Sequence, residues 1–168
     1  MSTGRTAATM PAVFDKLNLK DQPDVVVLNP PDSFESELKT LRGREVRRTL
    51  SGNRPIVFAI AFVQKQVDVD RAVKAIVPRL EGDAIVWFAY PKGSSKRYTC
   101  DFNRDTSWAS LGDSGFEPVR MVAIDEDWSA LRFRRAGFIK TMIRDKDRTL
   151  SAEGRRKAGA GTKVRKKR

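Results

Sequence analysis

Histidine is missing altogether from this chain of 168 residues, and cysteine occurs once, as Cys100. The first absence removes the commonest metal ligand, the usual base of a nucleophilic triad and the usual proton carrier near neutral pH. The second rules out an intramolecular disulfide and suits a reducing, cytoplasmic setting. Any chemistry has to come from carboxylates, lysines or the two tyrosines, Tyr90 and Tyr98, and neither a metal nor a cofactor is expected. Long apolar runs are lacking as well. Ile56 to Val63 falls far short of the roughly 20 residues that cross a bilayer, and the opening MSTGRTAATM holds no hydrophobic leader segment. A soluble protein with no membrane partner is the expectation.

What is present is positive charge, unevenly placed. The net charge is +12. From Ser151 onward, Arg155, Arg156, Lys157, Lys163, Arg165, Lys166, Lys167 and Arg168 stand against the single acid Glu153, so seven of the twelve excess charges lie in the last 18 residues. That stretch has no aromatic residue and one aliphatic larger than alanine, Val164. With nothing apolar to offset the entropy of ordering it, it reads as a disordered appendage. Residues 1–12 read as a disordered start, 13–146 as a single α/β domain and 147–168 as the disordered basic tail. A domain of this size buries roughly 68–70% of its unfolded surface.

Within the domain, Asp24 to Leu28 is a short, continuous, valine-rich run that fits an internal parallel strand, and Pro30 and Pro31 end it. Asp32 is placed as an N-cap with Glu35 three residues on. Phe34, Leu38 and Leu41 follow at helical spacing, and Gly43 supplies a left-handed stop. Glu45 to Leu50 alternates, with Val46, Arg48 and Leu50 on one side, as an edge strand would. Pro55 to Val63 is the most hydrophobic run and belongs at the sheet centre. Val69, Ala72, Val73, Ile76 and Leu80 recur at the spacing of an amphipathic helix, with Pro78 in its last turn and Gly82 closing it.

From Gly82 to Arg135 the order is strand, Pro-Lys-Gly loop, short helix near DTSWASL, then two strands, Pro118 to Asp125 and Trp128 to Arg135. The acidic turn between those two is too short for a crossover, so they form an antiparallel hairpin. Phe138, Ile139, Met142 and Ile143 suggest one more helix. Trp87, Trp108, Trp128, Leu131 and Phe133 read as core. Arg132, Arg134 and Arg135 either pair with the acidic turn or line a basic face. The fold expected is a three-layer α/β one: a mainly parallel sheet of about six strands with a C-terminal antiparallel hairpin and helices on both faces.

This sequence of elements resembles the second half of the Rossmann-like S-adenosylmethionine methyltransferase fold. The phrases WFAYPKGSSKRY and VAIDEDWSALRFRR further resemble an uncharacterised bacterial domain family with a proline-lysine element after its fourth strand. The methyltransferase resemblance implies a Gly-x-Gly loop after the first strand and an acidic residue near the end of the second, which hold the cofactor. Neither is present. The first loop is Asn29-Pro30-Pro31, where proline removes a backbone donor and fixes φ, and the second strand runs into Ser51, Gly52 and Asn53. A vestigial cofactor site, with two prolines where bare backbone is required, is the expectation. Asn-Pro-Pro also resembles the amine-binding motif of adenine and glutamine N-methyltransferases. Its aromatic residue is replaced by Asp32, however, and the motif follows the wrong strand, so a double-proline strand exit is the reading taken.

Ligand-cleft candidates gather at the carboxyl ends of the strands, where open sheets of this kind bind ligands: Asn29, Pro30, Lys92, Ser94, Ser95, Lys96 and Asp125. Lys92-Gly93-Ser94-Ser95-Lys96 offers two cations, two hydroxyls and a glycine to a phosphate, but does not match a P-loop; a solvated, mobile loop is the simpler alternative. Arg97 and Tyr98 extend a basic, stackable surface. Asp125, Glu126 and Asp127 raise the question of a metal or a perturbed base, yet hairpin turns favour aspartate for backbone reasons alone, and the turn reading stands. The tail offers sequence-independent contact with RNA or DNA phosphates, or simply solubility. Together these give a non-catalytic binding module with a basic tail. The alternative is an S-adenosylmethionine- or nucleotide-binding enzyme using the carboxyl edge of the sheet, and a protein adaptor would leave no readable signature.

Overall fold

A computed structural model describes residues 13–41, 43–50, 52–101 and 108–139. The expectations for residues 1–12, for Met142 and Ile143, and for the tail at 147–168 lie outside the described residues. Six strands form one sheet in the order β2-β1-β3-β4-β6-β5. They are β1 (Asp24–Leu28), β2 (Glu45–Arg47), β3 (Ile56–Phe62), β4 (Leu80–Pro91), β5 (Phe116–Ala123) and β6 (Trp128–Arg135). The first four run parallel, whereas β6 pairs antiparallel with both β4 and β5. The last strand thus slots between β4 and β5, and the mostly parallel sheet ends in an antiparallel pair. This is the methyltransferase-like α/β arrangement that the order of elements led us to expect.

Alternation sorts the core into two layers. On one face Phe58, Ile60 and Phe62 of β3 and Ile85, Trp87 and Ala89 of β4 pack with α1 (Val13–Lys16) and α2 (Glu35–Leu38), through Phe14, Leu17, Phe34 and Leu38. The Trp87 indole donates to the Leu17 carbonyl at 2.9 Å, fixing the chain just beyond α1 to the sheet. On the other face the small residues Ala59 and Ala61 admit the close approach of α3 (Gln66–Ile76), which buries Val69, Ala72, Val73 and Ile76. Phe88, Phe133 and Trp108 complete that layer beside α4 (Ala109–Asp113). Trp87, Trp108, Trp128 and Phe133 are all buried, and Leu131 packs against the second layer.

Four local expectations change. Asp32 is not an N-cap. Pro31, extended at φ −72 and ψ 161, precedes a 3-10 turn, Asp32–Phe34, in which Asp32 is already the first helical residue. β2 stops at Arg47 because that side chain turns inward to bond the Asp24 carboxylate at 3.1 Å and the Pro55 carbonyl at 3.0 Å. The alternation ends there: Val46 packs on one layer and Leu50 on the other, while Arg48 is exposed and pairs with Glu35. Leu80 opens β4 rather than closing α3, whose run ends in the 3-10 turn Val77–Arg79 holding Pro78. Gly82 lies inside β4. The register jumps from Ile56↔Leu80 to Phe58↔Ile85, so residues 81–84 bulge opposite Val57, and Gly82 takes the left-handed φ of 60° that the bulge needs.

Candidate functional site

Because β1 leads to β2 on one side while β3 lies on the other, the strand order reverses between β1 and β3. Loops leaving neighbouring strands at such a point diverge and leave a crevice at their carboxyl ends. A cavity of about 320 Å³ sits there, lined by Asn29, Pro30 and Pro31 after β1, Phe62 and Gln64 at the end of β3, Asp68 and Arg71 of α3, and Tyr98 and Trp128. A second, of about 340 Å³, continues toward β2 past Leu28, Arg48, Thr49 and Leu50, and shares Asn29, Asp68 and Arg71 with the first. Pro30 and Pro31 therefore form a wall of the crevice rather than its filling. Asn29 has φ 56, a left-handed conformation in which asparagine is several-fold enriched. It makes the turn that a glycine makes in a cofactor loop, while keeping a side chain where glycine would leave open backbone.

Asp68, the carboxylate that lines both cavities, serves the chain itself, and so do Asp101 and Asp125 nearby. Asp68 accepts from the Gln64 and Lys65 backbone N–H groups at 3.1 and 3.0 Å. Asp101 caps the start of α3, accepting from Gln66 N–H at 3.0 Å, and returns its own N–H to the Gln64 carbonyl at 3.0 Å. Asp125 accepts from the N–H groups of Asp127 and Trp128 at 2.8 and 2.9 Å, the backbone use that hairpin turns make of aspartate.

Asp127 differs from its neighbours in the turn: it is 4% exposed. One oxygen accepts from the Ser95 hydroxyl at 2.9 Å and the other from Arg97 Nε and Nη2 at 3.2 and 2.9 Å, while its backbone carbonyl accepts from Lys92 N–H at 2.8 Å. The carboxylate holds the Arg97 guanidinium above its ordinary pKa. The loop after β4 is therefore clamped to the hairpin turn. The acidic turn is paired by Arg97, and not by Arg132, Arg134 or Arg135.

Of the cleft candidates, the fold brings Asn29 and Pro30 to the crevice and puts Lys92, Ser94, Ser95 and Lys96 on the clamped loop beside it, outside both cavities. Ser95 is occupied: besides donating to Asp127, its hydroxyl oxygen accepts from Arg97 and Tyr98 N–H at 3.3 and 3.1 Å. The residue of this loop that reaches the crevice is Tyr98, its ring tilted 53° against that of Trp128 with centroids 4.9 Å apart.

Two groups that sequence reasoning passed over have unspent capacity. Arg71 makes no ion pair with any described residue, and the Trp128 indole N–H is buried without an acceptor. The only signal for Arg71 was its place on the solvent side of α3, between the buried Val69 and Ala72. Among the described residues, no three His, Cys, Asp or Glu side chains cluster as a metal site, and no helix is long and apolar enough to cross a membrane.

No family model matches the chain, the bacterial family resembled by WFAYPKGSSKRY included, and no curated protein matches it. Solved structures do. The N-methyltransferase NodS from Bradyrhizobium japonicum superposes with a TM-score of 0.48 at 13% identity, over 79% of this chain and 96% of that one. An rRNA methylase from Streptococcus thermophilus gives 0.44 at 13% identity, over 75% and 97%. A SAM-dependent methyltransferase from Aquifex aeolicus gives 0.44 at 11%, over 73% and 87%. At these values the description of the fold rests on its own strand order and pairing.

Proposed function

We propose that this domain is a non-catalytic binding module whose carboxyl-edge crevice receives a small nucleotide-type ligand. One observation carries the reading: the crevice at the strand reversal is lined by Arg71, a cation that no described residue pairs, together with the aromatic rings of Tyr98 and Trp128. Arg71 suits a phosphate and the aromatic rings a base. The carboxylates, which a proton-transfer or methyl-transfer site would need free, are spent on backbone N–H groups and on Arg97. Asn29-Pro30-Pro31 stands in place of the glycines that let a methyl donor lie against bare backbone. Calorimetry of the full chain against common nucleotides, S-adenosylmethionine and its demethylated product tests the idea. Micromolar binding of a nucleotide, weakened about tenfold or more by Arg71→Gln, supports it. Tight binding of S-adenosylmethionine with turnover would replace it with the enzyme reading.

A second reading rests on charge. Eight basic residues against one acid in the last 18 supply most of the net charge of +12, and such a segment contacts RNA or DNA phosphates with little sequence preference. Affinity of the full chain for a single-stranded oligonucleotide then falls about tenfold or more between roughly 50 and 200 mM salt, and neutralising the eight residues to glutamine abolishes most of that dependence. A neutralised tail that binds as well as the original removes this reading.

A further inference from the structure

The β5–β6 hairpin carries arginines that folding has not paired. Arg120 and Arg132 are direct partners in the antiparallel register, so their side chains leave the same face with Cβ atoms roughly 4.5–5.5 Å apart, a like-charge juxtaposition that costs stability. Arg134 follows on that face and spends its charge on Asp83, donating from Nε to the carboxylate at 3.0 Å. Glu117, opposite Arg134, is fully buried and adds nothing to the exposed surface. Arg120 is exposed and Arg132 half-buried, and neither makes an ion pair with any described residue. Arg132 Nε is buried without an acceptor. Burial first, and then the neighbouring charges of Arg134 and Arg120, depress its pKa, with only Asp83 opposing. A half-desolvated guanidinium with two like charges beside it is a position that an incoming anion would stabilise.

We infer that Arg120 and Arg132 together bind a backbone phosphate of a nucleic acid. Phosphodiester chemistry fits because its two free oxygens can be shared between adjacent guanidinium forks, each donating in a plane. Such a contact discriminates little between bases, as phosphate contacts in general do. Position argues the same way. β6 ends at Arg135, and the sequence that holds the basic tail follows this strand along the chain. The inference rests on the nucleic-acid partner named in the second reading, but not on the tail as its contact: it adds that the folded sheet itself grips the strand.

The test compares the full chain with Arg120→Gln, with Arg120→Gln/Arg132→Gln and with the tail-neutralised chain, by anisotropy of a labelled single-stranded oligonucleotide across a salt series. The double variant is expected to lose about 5- to 20-fold in affinity and to flatten the log–log salt slope by about one unit. Arg120→Gln, a surface change that leaves the core untouched, is expected to show about half of that loss on a logarithmic scale. In a nitrogen-labelled full chain, the Arg132 Nε–H resonance shifts on adding the oligonucleotide. An Arg120→Gln chain with unchanged affinity and slope overturns the inference, as does an Arg132 resonance that moves with polyglutamate but not with the oligonucleotide. A tail-neutralised chain that binds like the original while the hairpin variants still lose affinity would sink the tail reading and leave the inference standing.

Discussion

The carboxyl edge of the sheet and the outer face of its hairpin handle charge in opposite ways. Around the crevice each acid has an address: Asp68 and Asp125 in backbone turns, Asp101 on the first turn of α3, Asp127 on Ser95 and Arg97. On the two strands of the hairpin four arginines stand against the single acid Glu117, and the two that face each other across β5 and β6 are left over. The contrast separates charge that builds the molecule from charge that the molecule holds in reserve. Buried or partly buried polar groups are normally satisfied, because leaving one unpaired costs about 1–3 kcal/mol. A group that stays unpaired, such as Arg132 Nε, therefore carries a cost that a partner from outside the chain would relieve.

The sharpest way to break this contrast is Asp127→Ala. If the clamp is structural, losing the acceptor of Ser95 and Arg97 destabilises the fold by about 2 kcal/mol, read as a lower denaturant midpoint, with faster amide exchange through residues 92–98. An unchanged midpoint would mean that this acid is as idle as the arginines. Asp101→Ala comes next: removing a helix cap costs about 1 kcal/mol, with exchange quickening first at Gln66 and Val67. The smallest effect is expected at the other pole. Arg132→Met, which keeps the stem's apolar contacts and removes a half-buried charge, should leave stability within about 0.5 kcal/mol of the original or raise it. A loss of 2 kcal/mol or more there would show that the arginine is built into the fold after all.

Much of this architecture could be read from residue order, for identifiable reasons. Valines in an unbroken run at 25–27, the apolar block at 56–63 and the 3.6-residue rhythm of Val69, Ala72, Val73 and Ile76 each carry a period that only one element satisfies. The four-residue link between Ala123 and Trp128, three of them acidic, left room for nothing but a hairpin. What escaped was everything decided by a distant partner. Asp127 looks like its neighbours in DED until Ser95 and Arg97, some 30 residues upstream, are folded over it. Arg47 is one of several arginines in REVRR until Asp24 draws it inward and ends the strand. Gly82 follows a helical rhythm closely enough to pass for its stop, although it serves a bulge whose need arises only when β4 is laid against β3. The crevice residues Tyr98, Arg71 and Trp128 come from three separate elements, and no local pattern joins them.

One consequence concerns synthesis. Of the described strands β6 is made last, yet it occupies an interior place in the sheet between β4 and β5. Until residues 128–135 emerge, the edge of β4 that carries Trp87, Phe88 and Tyr90 has no strand beside it, and an uncovered apolar edge invites pairing with other chains. The sheet closes only once β6 has been made, so a product truncated anywhere before Trp128 is expected to aggregate rather than persist as a smaller version of the same fold.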